Sequence, residues 1–89
     1  MDLSTATTLN NLGHLYKILG QNEKALDCYE RDLNIQKKLS ADNDYTLCVT
    51  YNNLGLVYKA MKEFDKAIYS FERSLYLRKK GPRNSDYQY

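Results

Sequence analysis

Tryptophan is absent, proline occurs once (Pro82) and histidine once (His14), and the two cysteines, Cys28 and Cys48, form no Cys-x-x-Cys pair. Each scarcity excludes something. A lone imidazole, with no serine, aspartate or cysteine beside it at helical spacing, assembles no triad-like catalytic site, and no enzyme activity is expected. No cluster of ligand-bearing residues points to a metal, and none of the four glycines belongs to a phosphate-cradling loop, so no cofactor is expected. No apolar run approaches the ~20 residues of a membrane-spanning helix, and no signal-peptide pattern opens the chain. Charge of either sign is nearly balanced: a net +2 over 89 residues is too weak to argue for nucleic acid or an anionic membrane. Arg78-Lys79-Lys80 and Arg83 read as a solvated helix end that suits the helix dipole, not as a nucleic-acid patch. Cys28 and Cys48 sit at different heights on neighbouring antiparallel helices, too far apart for a bridge that needs Cα atoms within about 7 Å. Two free thiols are expected, and with them a reducing, cytoplasmic setting.

What the chain does have is itself, twice. Asn10-Asn11-Leu12-Gly13-x-x-Tyr16-Lys17 returns 42 positions later (52 − 10) as Asn52-Asn53-Leu54-Gly55-x-x-Tyr58-Lys59. Lys24-Ala25 returns as Lys66-Ala67, Glu30-Arg31-x-Leu33 as Glu72-Arg73-x-Leu75, and Lys37-Lys38 as Lys79-Lys80. A fixed period of this size denotes stacked supersecondary units, none of which buries its apolar face alone.

Apolar periodicity divides the chain into four amphipathic helices over residues 4–19, 23–39, 45–61 and 64–80. Their expected inward stripes are Leu9, Leu12, Tyr16 and Leu19; Ala25, Leu26, Tyr29, Leu33 and Gln36; Leu47, Tyr51, Leu54, Tyr58 and Met61; and Phe64, Ala67, Ile68, Phe71 and Leu75. Gly20 suits the left-handed residue that closes a helix. Lys62 holds the same place in the second unit, at a cost of about 1 kcal/mol if the geometry is kept. Gly81-Pro82 ends the last helix, and residues 81–89 re-enact the lead-in at Asp42-Asn43-Asp44-Tyr45 as the start of a truncated third unit. The chain reads as one all-α domain, with repeat 1 over residues 4–39 and repeat 2 over residues 45–80.

Leu9-x₂-Leu12-Gly13-x₂-Tyr16 with Ala25-x₃-Tyr29, and Tyr51-x₂-Leu54-Gly55-x₂-Tyr58 with Ala67-x₃-Phe71, resemble the tetratricopeptide repeat pattern. The small residues permit close helix approach while the aromatics fill the space alongside. A period of 42 rather than 34 is similar to the longer repeats of kinesin light chains. Asp32 departs from the pattern, standing where the family has a small residue, and is expected to be partly exposed at an inter-helix edge. The resemblance implies two antiparallel helical hairpins stacked as a short right-handed α-solenoid, with the first helix of each hairpin lining a concave groove.

On that reading the groove carries Asn10, Asn11, His14 and Lys17 from the first helix and Asn52, Asn53, Leu56 and Lys59 from the third. The expected function is a protein-interaction module that binds an extended peptide or protein segment. Asparagines suit a peptide backbone, the two lysines suggest acidic character in the partner, and Leu56, Val49 and Ile18 suggest apolar character. The alternative is a two-repeat piece, natural or engineered, that self-associates as a homodimer through uncapped repeat ends, using Tyr69, Tyr76 and Leu77.

Overall fold

The computed structural model describes residues 3–39 and 44–80. They form four α-helices: α1 Leu3–Ile18, α2 Asn22–Leu39, α3 Asp44–Ala60 and α4 Phe64–Lys80. These bounds lie within one residue of those the apolar periodicity predicts. The expected stop at Gly81-Pro82 and the third lead-in lie outside the described residues.

The two tight turns are built alike. After α1, the Gln21 amide donates to the Tyr16 carbonyl at 2.8 Å and the Gly20 amide to the Lys17 carbonyl at 3.0 Å. After α3, Glu63 donates to Tyr58 at 2.8 Å and Lys62 to Lys59 at 3.0 Å. This paired bonding closes a helix only if one residue turns left-handed. Gly20 does so at φ 80° and Lys62 at φ 64°, so the second turn keeps the geometry despite its side chain.

Within each hairpin the small residues permit close approach. A Cβ added at Gly13 would lie 2.7 Å from Tyr29 Cε1, and one at Gly55 would lie 2.6 Å from Phe71 Cε1. The Lys24 ammonium sits 5.7 Å from the Tyr16 ring centre and that of Lys66 5.8 Å from Tyr58, so this cation–π pair recurs too.

α2 packs against both α1 and α3, α4 packs against α3, and α1 meets α3 along a short seam. The hydrophobic core accordingly centres on Ala25, Tyr29, Leu47, Cys48, Tyr51, Leu54, Val57 and Leu77. Both cysteines are free and buried, as expected; burial pushes the Cys28 thiol upward from its ordinary pKa.

The outer helices depart from their expected stripes. Leu12 on α1 and Leu19 just beyond its end are exposed, while Ala6 and Gly13 are buried. On α4, Phe64, Ile68 and Leu75 are exposed, and the inward line is Ala67, Ser70, Ser74 and Leu77. The apolar stripe on each outer helix is wider than the faces that its neighbours cover among the described residues. Leu77 therefore corrects the self-association surface. It lies three residues beyond Ser74 on the inward line and is 4% exposed, within the core, whereas Tyr69 and Tyr76 are exposed.

Candidate functional site

Where α1 and α3 diverge above α2, a pocket of about 270 Å³ opens. Its walls are Ala6, Thr7, Asn10 and Asn11 of α1 and Thr46, Val49 and Thr50 of α3, and its lining includes Asp32 and Gln36 of α2.

Asp32 overturns the expectation of partial exposure, for it is completely buried. The reason is a set of donors drawn from three helices. Gln36 Nε2 donates to Asp32 Oδ1 at 2.7 Å, Thr50 Oγ1 approaches Oδ2 at 3.3 Å, and Asn10 Nδ2 approaches Oδ2 at 3.4 Å. Gln36 Nε2 also donates to Thr50 Oγ1 at 2.9 Å, and Thr50 lies 3.1 Å from the carbonyl of Thr46 one turn earlier. Such partners make burial of a carboxyl group tolerable. Asp32 also helps to push the phenol of its neighbour Tyr29 upward in pKa, after burial itself and Cys28.

Helical geometry decides which expected groove residues share this place. At about 100° per residue, α1 and α3 turn overlapping but not identical arcs toward the gap between them. Residues equivalent by sequence translation share that gap only in part: Thr7 and its echo Val49 both line it, whereas Asn10 does and its echo Asn52 does not. Asn10 and Asn11 line the pocket, and His14 and Lys17 continue their side of α1. On α3, Asn53 follows Val49 by one turn and continues its wall. Leu56 lies farther round, and Asn52 and Lys59 turn roughly a third of a circle away. Asn52 is exposed, whereas its echo Asn10 is half-buried and bonded to Asp32. Neither lysine lines the pocket.

Sequence reasoning missed Asp32, Gln36, Thr46 and Thr50. The signal available was Asp32 and Gln36, four residues apart beside the apolar stripe of α2, where two polar residues require partners.

Among the described residues no group of three or more His, Cys, Asp or Glu is placed to hold a metal, and no helix is long and apolar enough to cross a membrane. Compared with known proteins, the sequence profile of the tetratricopeptide repeat family matches residues 4–80. No curated protein and no solved structure matches the chain.

Proposed function

Because the chain belongs to the tetratricopeptide repeat family, whose members mediate protein–protein interactions, we propose that its concave face binds an extended segment of a partner protein. The observation that carries this reading is the pocket at the α1–α3 seam, walled by Thr7, Asn10, Asn11 and Val49. These side chains project from two helices whose packing is already supplied by other faces. The contact line runs from that pocket past His14 and Lys17 on one side and Asn53 and Leu56 on the other. Asparagine amides there suit the alternating donors and acceptors of an extended backbone, whatever its side chains. The buried carboxyl group of Asp32 argues against an acidic side chain in the pocket itself, which leaves Lys17 as the cation beside the line.

Panning a random peptide library against the chain tests this reading. Selected peptides are expected to shift backbone amide resonances along α1 and α3. Asn11→Ala and Asn53→Ala are each expected to weaken binding about fivefold, the value of one hydrogen bond. Shifts confined to α2 and α4 would defeat the proposal.

A second reading, homodimerisation through repeat ends, is favoured by the line Phe64, Ile68, Phe71 and Leu75 on α4. Phe71 is half-buried and the others are exposed, with Tyr69 and Tyr76 exposed on the same helix. The outer side of α1 carries Leu12 and Leu15 likewise exposed. Light scattering that shows a dimer converted to monomer by Ile68→Glu supports it; a monomer at all concentrations removes it.

A further inference from the structure

Donors and acceptors at the base of the α1–α3 pocket do not balance. The acceptors are both Asp32 carboxyl oxygens, Gln36 Oε1, Thr50 Oγ1 and the Thr46 carbonyl. Gln36 Nε2 has two hydrogens and uses both, on Asp32 Oδ1 at 2.7 Å and Thr50 Oγ1 at 2.9 Å. Thr50 has one hydroxyl hydrogen to divide between the Thr46 carbonyl at 3.1 Å and Asp32 Oδ2 at 3.3 Å. Asn10 reaches Oδ2 only at 3.4 Å, a long contact for a hydrogen bond. Asp32 Oδ2 is thus held by two weak contacts, one of them shared. Gln36 Oε1, on a residue only 7% exposed, is buried with no partner at all. Turning the Gln36 amide over is no remedy, because it would set Oε1 against Asp32 Oδ1. Every protein partner of Asp32 among the described residues is neutral, and the ion pair formed there is the surface pair Arg31–Asp27 at 3.2 Å.

We propose that this pocket receives the side chain of a lysine or arginine from the partner segment, whose ammonium or guanidinium displaces the long, half-buried Asn10 contact that covers Asp32 and donates to Asp32 Oδ2 in its place. Its methylene stem lies along Ala6 and Val49, the apolar residues of the pocket walls. A cationic donor supplies both missing elements, the hydrogen and the counter-charge, and charge-assisted bonds of this kind are the strong ones. The inference rests on the reading that the concave face binds an extended segment, and it names what that segment carries at one position. That chemistry is opposite to the acidic partner suggested by Lys17 and Lys59 alone.

The test uses peptides of one serine–leucine–glycine scaffold whose central residue is lysine, arginine, norleucine or glutamate, titrated by fluorescence anisotropy against the whole chain. The lysine or arginine peptide is expected to bind about tenfold tighter than the norleucine peptide at low salt, with glutamate weakest. Asp32→Asn, nearly the same shape, is expected to abolish that preference, bringing the lysine and arginine peptides to the affinity of the norleucine peptide. Equal binding of the lysine, arginine and norleucine peptides, with amide shifts along α1 and α3, overturns the inference and leaves the groove reading standing. Binding of none of the peptides overturns the inference; groove binding is judged separately by the library peptides. Competition by free N-acetyl-lysinamide as strong as by the lysine peptide overturns the assignment to a protein segment. Should Asp32→Asn fail to fold by circular dichroism, Val49→Lys brings an ammonium of its own to the pocket rim. It is then expected to erase the lysine preference, and a preference that survives it overturns the inference.

Discussion

Asp32 and Ser74 hold the same position in the two repeats (74 − 32 = 42), and the two places are chemically unlike. Asp32 lies beneath the seam where α1 and α3 diverge and meets Asn10, Gln36 and Thr50. Ser74 meets only its own hairpin, donating to the Cys48 carbonyl at 2.9 Å with its hydroxyl 3.2 Å from Cys48 Sγ. Features internal to a hairpin recur: the Gly13–Tyr29 and Gly55–Phe71 approaches, the two turns, and the Lys24–Tyr16 and Lys66–Tyr58 pairs. The Asp32 network needs three helices from two hairpins, and Ser74 has no such third helix among the described residues. Recurrence therefore marks what a hairpin needs to fold, and its failure marks what lies between hairpins.

Exchanging these two residues breaks the comparison most sharply. Ser74→Asp places a carboxyl group against the Cys48 carbonyl with only the weakly donating Cys48 thiol to meet it, and is expected to cost about 3 kcal/mol in urea unfolding. Asp32→Ser is expected to cost less, about 2 kcal/mol, because it strands one donor of Gln36 but introduces no charge. Equal losses would mean that the two environments do not differ as described. The glycines come next. Gly13→Ala and Gly55→Ala each force an aromatic ring to move, at about 2 kcal/mol. Their agreement to within a few tenths, measured by the same unfolding curves, checks that the hairpins are packed alike. The smallest effect has the opposite sign. Lys62→Gly is expected to stabilise by about 0.5–1 kcal/mol, and Gly20→Lys to destabilise by as much, because only one of the two left-handed positions carries a side chain now. Thermal unfolding that moves both variants in the same direction would contradict the shared turn geometry.

The helix boundaries were legible because apolar spacing and Gly20 mark them locally, and the inward line of α2 because neighbours cover it on two sides. The face of α4 was not legible. Phe64, Ile68, Phe71 and Leu75 make a stripe at spacings of four, three and four, but periodicity reports where apolar residues fall and not what covers them. Ser70 and Ser74, small enough to let α4 lie close to α3, take the buried line instead. At the site, Asn10 and Asn11 were legible as polar residues that packing does not require. Asp32 was not, because beside Gln36 on its own helix the donors that bury it come from Asn10 and Thr50, far away in sequence and on other helices. Of the groove residues, Asn10 lines the pocket and its echo Asn52 does not, because α1 and α3 turn different arcs toward the seam between them.

The chain of contacts from Asn10 through Asp32 and Gln36 to Thr50 starts in the first hairpin and ends in the second, crossing between them at the Thr50 bonds. It is complete only while the two are docked, so an array of several such units would own one fewer of these places than it has units. A ligand seated there recognises the docked arrangement and ignores separated hairpins, and by mass action it must tighten their docking in proportion to its own affinity. Occupancy and cohesion become one equilibrium, and the partner acts as a clasp on the structure that holds it.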